Sequence, residues 1–253
     1  MTGLAGGLAQ RVTGRRRTTR LRLFCFHHAG GSAWSFAGWE QRLGREIDVV
    51  PVSLPPRSVP GSSGSVSTMG DVVRDVTRRF AAVLDEPHAF YGHSMGSLVA
   101  YGVAQRRLAA GHRPPVCFVT AAHRAPHLPA PDLIRNLSDT AALELLLGLG
   151  GTGRLLRADP RRLRAVADRL RQDLLVHATY RYPPAGHRPL PCPVHVLHGS
   201  DDPLVPTAHA AAWRRHAAGS FSLRVMPGGH FFPMEHEETF FEELRQALTV
   251  AQV

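Results

Sequence analysis

The sequence predicts an α/β protein with a mostly parallel central sheet flanked by helices, and three observations carry that expectation. Apolar runs of strand length alternate with amphipathic runs of helical length. Turn-forming clusters punctuate them, drawn from 24 Gly and 20 Pro in 253 residues. The length allows one large domain with a sizeable core. A composition that is 43% hydrophobic and 20% charged excludes disordered and collagen-like chains.

Residues 1–20 read as a basic, flexible tail. Leu21 to His28 reads as a strand that stops at Ala29-Gly30-Gly31-Ser32, and Ala33 to Leu43 reads as a helix. Ile47 to Leu54 is a strand halted by Pro55 and Pro56, and the Pro-, Gly- and Ser-rich stretch to Ser67 is a surface loop. Asp71 to Leu84 sets Val72, Val73, Val76, Phe80 and Val83 at helical spacing. His88 to Gly92 is a short strand, Ser94 to Ala109 a helix and Val116 to Ala121 a strand. Between Ala125 and Pro191 nothing resembles a strand. Helices follow one another there, one at Ala141 to Leu147 capped by Ser138 and a second opening at Pro160 behind Asp159. Strands at Cys192 to Leu197 and Phe221 to Val225, with helices at Thr207 to Ala218 and Glu235 to Leu248, complete the pattern. The organisation is thus a core of residues 21–124 and 192–253 interrupted by a helical insertion at 125–191.

Several functions are disfavoured at once. The longest greasy stretch, Ala141 to Gly150, contains Glu144 and is too short for a membrane span. The basic cluster Arg15, Arg16, Arg17, Arg20 and Arg22 follows the weakly apolar start, the reverse of a secretory signal, so a cytoplasmic location is expected. Cys25, Cys117 and Cys192 sit in or beside apolar strands, which suits buried thiols rather than disulfides or zinc. His27 and His28 are strand neighbours that point apart, so no metal is expected. The net charge of +10 raises nucleic acid as a partner, but its distribution speaks against one. All 30 basic residues are arginine; six lie in residues 1–22 and nine in residues 151–188, leaving about −2 for the rest of the chain. The glycines from Gly148 to Gly153 follow a helix and precede no Lys-Ser/Thr pair, so they read as a helix terminator rather than a phosphate loop.

The chemistry points to Gly92-His93-Ser94-Met95-Gly96, a G-x-S-x-G between a strand and a helix. That junction exposes the Ser94 hydroxyl on a strained turn and places it at a helix N-terminus, where the Met95 N–H favours negative charge. A serine needs a base, and the base an orienting carboxylate, in the chain order Ser, Asp, His. Of 15 histidines, His123, His127 and His187 read as surface residues and His195 lies within a strand. His230 follows Met226-Pro227-Gly228-Gly229 on a loop beyond the last strand and is the candidate base, whereas its rival His236 lies in a helix. The acid is Asp202 or its neighbour Asp201. The Gly199-x-x-Asp spacing and the following Pro203-Leu204-Val205 favour Asp202, with Asp201 as a turn residue. A second oxyanion donor is expected from the loop after the first strand, at Ala29.

These motifs resemble one family over Leu21 to Leu244, the type II thioesterases that accompany polyketide synthases and nonribosomal peptide synthetases. The resemblance rests on Phe26-His27-His28-Ala29-Gly30-Gly31-Ser32-Ala33, Gly92-His93-Ser94-Met95-Gly96-Ser97, Gly199-Ser200-Asp201-Asp202-Pro203 and Gly228-Gly229-His230-Phe231-Phe232. It departs at Leu54-Pro55-Pro56-Arg57, where relatives have Leu-Pro-Gly-Arg. The resemblance implies an α/β-hydrolase fold with the 125–191 segment as a helical lid. It also implies hydrolysis of acyl groups from the phosphopantetheine arm of acyl or peptidyl carrier proteins, as an editing step. No metal or diffusible cofactor is implied, phosphopantetheine being part of the substrate, and the chain is expected to act as a monomer. His28, Gly30, Leu146 and Phe231 are expected near the substrate, with Leu143, Leu147 and Leu149 beside Leu146 in the acyl pocket. Arg161, Arg162 and Arg164 are expected to steer an acidic carrier. The alternative is a carboxylesterase or lipase of the same fold, since a Ser-His-Asp set does not itself distinguish oxygen from sulfur leaving groups.

Overall fold

A computed structural model describes residues 20–55, 67–129, 160–183, 186 and 188–250. Six parallel strands form one sheet in the order β2-β1-β3-β4-β5-β6: β1 Leu21–Phe26, β2 Ile47–Val52, β3 His88–His93, β4 Cys117–Ala121, β5 Val194–Gly199 and β6 Phe221–Met226. Register pairs Phe26 with Gly92 and Gly92 with Thr120, so the ends of β1, β3 and β4 lie side by side. The reversal of strand order beside β1 and β3 makes this end the usual crevice of an open parallel sheet.

The strands alternate between two cores because successive side chains point to opposite faces. On one face Phe24, Phe26, Phe90, Phe118, Val194 and Val196 pack under α2 (Met69–Arg79) and α3 (Met95–Ala109). On the other, Leu23, Cys25, Tyr91, Val119 and Leu197 meet α1 (Trp39–Leu43) and the C-terminal helix, Glu237–Val250. Burial on both faces explains the near-continuous apolar character of the inner strands β1, β3, β4 and β5. All three cysteines are free and buried, and burial raises each thiol's pKa, to about 12 at Cys192.

Within the 125–191 segment the described residues contain α4, Pro160–Ala178, opening at the expected proline. It packs Leu170, Leu174 and Val176 into the same core as α2 and α3. The helix and cap expected at 138–147, Asp159 and the 148–153 glycines lie outside the described residues.

Several expected boundaries are corrected. β1 ends at Phe26, which leaves both histidines in the following loop. The expected helix from Ala33 to Leu43 is a 3-10 turn, Ala33–Phe36, followed by α1, the two separated by Gly38 at φ 82°. α2 starts two residues before Asp71 because Thr68 and Asp71 form a reciprocal capping box. It ends at Arg79, well short of Leu84. The Thr207 segment becomes α5, Thr207–Ala211, then a 3-10 turn over Ala212–His216. The last helix divides at His236 into α6, Phe232–Glu235, and α7, Glu237–Val250. β5 begins at Val194, since Pro193 has no N–H for the ladder.

Candidate active site

β3 ends at His93 and α3 begins at Met95, so Ser94 alone makes the turn. It does so at φ 53° and ψ −123°, a conformation that costs about 1–3 kcal/mol for a residue with a side chain. Hydrogen bonds hold the turn: Ser94 N–H donates to Ala121 O at 2.8 Å, and Ser97 Oγ donates to Gly92 O at 2.7 Å. A Cβ on Gly92 would collide with the backbone of Ser97, and one on Gly96 with the carbonyl of Phe26. The two glycines of the motif are therefore demanded by close backbone approach.

His230 lies on the loop between β6 and α6, almost completely buried. Its Nδ1–H donates to Asp202 Oδ2 at 2.9 Å, and its Nε2 accepts the Ser94 hydroxyl proton at 2.9 Å. The Asp202 side chain is 0% exposed. Its other oxygen accepts the N–H groups of Leu204 at 2.9 Å and Val205 at 3.3 Å, which fixes the carboxylate plane. Asp201 instead uses its N–H on Gly228 O at 2.9 Å and turns its exposed side chain to Ser200. The structure thus brings Ser94, His230 and Asp202 into one hydrogen-bonded chain and leaves Asp201 and His236 outside it.

The Met95 N–H is the first of α3 and has no intrahelical partner. In the loop after β1, Gly31 N–H donates to His28 O at 3.1 Å and Gly30 N–H to Asp173 Oδ2 of α4 at 2.9 Å. The Ala29 and Met95 amides meet no partner among the described residues. Gly30 is at φ 77°, a conformation that favours glycine.

Rings wedge this loop against that of His230. His28 lies 4.9 Å from Phe231 and 5.4 Å from His93 between centroids. Burial pushes the His28 pKa down to about 4 and that of His93 well below the usual imidazole range, so both are neutral at neutral pH. His93 Nε2–H donates to His230 O at 2.9 Å, and His28 Nδ1–H donates to Ala29 O at 2.9 Å. Leu146 and its neighbouring leucines lie outside the described residues.

Sequence reasoning missed two contributors, His93 and Asp173, and misplaced two other histidines. His93 occupies the variable position of its motif, and nothing in the motif marks it as a brace for His230. Asp173 carries a legible signal, since it shares a helical face with Leu170, Leu174 and His177, all buried. His123, expected at the surface, is buried, with Nε2 3.4 Å from His177 Nε2 and its Nδ1–H on Arg124 O at 2.6 Å. His127, also expected there, is half-buried, its Nδ1 2.8 Å from His216 Nε2. His123 departs from expectation because α4 covers it, and His127 because His216 of the second 3-10 turn and Tyr182 lie against it. Among the described residues no group of three or more His, Cys, Asp or Glu is placed to hold a metal, and no helix is long and apolar enough to cross a membrane.

Comparison with known proteins places this geometry in context. The thioesterase domain family model matches residues 21–248. The chain is 33% identical over 231 residues to a Brevibacillus parabrevis protein named linear gramicidin dehydrogenase LgrE, covering 89% of this chain and 87% of that one. It is similar to the solved structure of RedJ, a thioesterase from the prodiginine biosynthetic pathway of Streptomyces coelicolor. That match has 34% identity and a TM-score of 0.82, over 90% of this chain and 86% of that one. It is also similar to BorB, described as a type II thioesterase from the borrelidin biosynthetic cluster. Here identity is 31% and the TM-score 0.78, with 91% and 93% covered. A strained serine between β3 and α3, joined through a buried histidine to a buried aspartate on the α/β-hydrolase scaffold of these relatives, sits within the matched residues, and the chain belongs to the thioesterase domain family.

Proposed function

We propose that this chain is a stand-alone serine thioesterase that hydrolyses acyl groups from the phosphopantetheine arm of acyl or peptidyl carrier proteins, and that it clears stalled or misprimed groups from a synthase. The observation that carries the reading is the Ser94–His230–Asp202 chain, with two links of 2.9 Å, at the N-terminus of α3. RedJ and BorB, each described as a thioesterase of a biosynthetic pathway or cluster, support a thioester as the bond cleaved.

Ser94 Oγ attacks the thioester carbonyl carbon while His230 Nε2 takes its proton. The carbonyl oxygen becomes an oxyanion held by the N–H groups of Met95 and Ala29. The C–S bond breaks, the proton passes from His230 to the leaving thiolate, and the acyl group remains on Ser94. Water then attacks the acyl-serine with His230 as base and releases the carboxylic acid. Asp202 keeps the proton on His230 Nδ1 and stabilises the imidazolium. No metal or diffusible cofactor enters these steps.

The dehydrogenase name of the Brevibacillus relative belongs to that protein. Dinucleotide-binding turns lead from a strand into a full helix. Here the glycine turn after β1 leads into a four-residue 3-10 turn, and the turn after β3 presents Ser94.

Mass spectrometry of enzyme quenched during turnover of an acyl thioester tests the route. An acyl adduct on the Ser94 peptide, absent in Ser94→Ala, is the expected result; an adduct elsewhere contradicts it.

A further inference from the structure

Beyond the triad, one contact ties α4 of the inserted segment to the backbone that supplies an oxyanion donor. The peptide plane joining Ala29 to Gly30 is held at both ends. Its carbonyl, Ala29 O, accepts His28 Nδ1–H at 2.9 Å, and its amide, Gly30 N–H, donates to Asp173 Oδ2 at 2.9 Å. A peptide group is planar, so fixing both ends fixes its rotation about the Cα–C bond of Ala29 and the N–Cα bond of Gly30. Glycine leaves that rotation otherwise easy, and Gly30 sits at φ 77°. The Asp173 carboxylate is almost fully buried and belongs to a different part of the chain from the loop it holds. Directly beside it, Leu170 presses on Gly30: a Cβ added to the glycine would lie 3.1 Å from Leu170 Cβ. Next to this contact a cleft of about 360 Å³ separates Arg169 and Gln172 from Gly31 and Ser32. Leu170 and Asp173 are therefore where α4 bears on the turn.

Resting on the thioesterase reading above, we propose that Asp173 is a positioning residue: by accepting the Gly30 N–H it anchors the Ala29–Gly30 peptide, and through the Ala29 Cα that this plane shares with the preceding one it places the Ala29 N–H for the developing oxyanion. Docking of α4 and completion of the oxyanion site are then one event. Without the carboxylate, Gly30 N–H is buried without its acceptor, and the plane turns to find another. The Ala29 N–H belongs to the preceding peptide, so it moves not by that rotation but because the Ala29 Cα shared by the two planes is displaced with it. Ser94, His230 and Asp202 are untouched by that rotation, so loss of Asp173 weakens transition-state binding and leaves ground-state binding in place.

The test compares wild type with Asp173→Ala and Asp173→Asn, using a small acyl-N-acetylcysteamine thioester as substrate and a trifluoromethyl ketone as tetrahedral mimic. Wild-type turnover and its loss in Ser94→Ala are established first; failure at that step overturns the thioesterase reading rather than the role of Asp173. For Asp173→Ala, kcat is expected to fall roughly 10- to 100-fold with KM within about twofold, and ketone affinity to fall by a similar factor. Asp173→Asn keeps an oxygen acceptor in place and is expected within about fivefold of wild type. Should Asp173→Ala fail to fold, Asp173→Ser, whose hydroxyl is too short to reach Gly30, carries the same expectation. Wild-type kcat in the folded alanine or serine variant, an asparagine variant as impaired as alanine, or lost kcat with unchanged ketone affinity each overturns the proposal.

Discussion

Asp201 and Asp202 are neighbours in the chain and differ in every respect that matters to an imidazolium. The Asp202 side chain is fully buried, fixed by two backbone N–H groups and bonded to His230, whereas the Asp201 side chain faces solvent. Asp202→Asn is therefore expected to lower kcat about 10³-fold or more, because an amide opposite Nδ1 favours the wrong histidine tautomer. Asp201→Asn is expected to stay within about threefold of wild type, a surface change of the ordinary kind. Steady-state rates on one acyl thioester check the ranking, and its reversal moves the acid by one residue. Ser94, His230 and Asp202 were legible because each sits at the C-terminal end of a strand or in the loop beyond it, where turn glycines mark the position. His93 was not legible, because its role is set by a carbonyl 137 residues away that only the fold brings to 2.9 Å.

At the scale of elements, two histidines record how α4 is seated. His177 of α4 meets His123 beyond β4, and burial pushes the His177 pKa down to about 4 and that of His123 well below the usual range. The folded form keeps these rings neutral, while the unfolded chain protonates them below about pH 6.5. The unfolded state thus binds more protons in that window, and stability falls as pH drops from about 6.5 toward 4. The fall is at most about 1.4 kcal/mol per pH unit for each such histidine. Thermal unfolding between pH 7 and 5 should show Tm decreasing, with a smaller decrease in His177→Gln; an equal decrease in the variant contradicts the assignment. The capping box of α2 gives an independent figure. Thr68→Ala is expected to cost about 1 kcal/mol in denaturant unfolding, and no loss would remove the cap from the account. The breaks at Gly38 and His236 were illegible as apolar spacing, since periodicity continues across a short interruption; the expected start at Asp71 rested on apolar spacing alone and passed over Thr68, whose reciprocal box with Asp71 marks the true start of α2.

For the whole molecule, the alternation of strand and helix was enough to predict a parallel sheet because the inner strands are buried on both faces and largely apolar. Strand order was not in the sequence: it follows from which crossover packs where. Charge is the other molecular property. The exposed Arg161, Arg164 and Arg169 of α4 lie on the most basic part of the described chain, and the side chain of Arg162 lies outside it. The resemblance implies an acidic carrier protein, so Arg161→Glu with Arg164→Glu is expected to lower kcat/KM for an acyl carrier protein several-fold and to flatten its salt dependence. A small acyl thioester should be unaffected, and equal effects on both substrates would return these arginines to a solvating role.

The central claim is that Ser94 turns over thioesters on carrier proteins rather than simple oxygen esters. One measurement tests it most directly: kcat/KM for an acyl carrier protein set beside that for the oxygen ester of the same acyl group, in wild type and Ser94→Ala. The account predicts a preference for the carrier-bound thioester of about tenfold or more in wild type, and loss of both activities to below about one part in a hundred in the variant. Faster hydrolysis of the oxygen ester, or continued release of the acyl group from the carrier by Ser94→Ala, would contradict it.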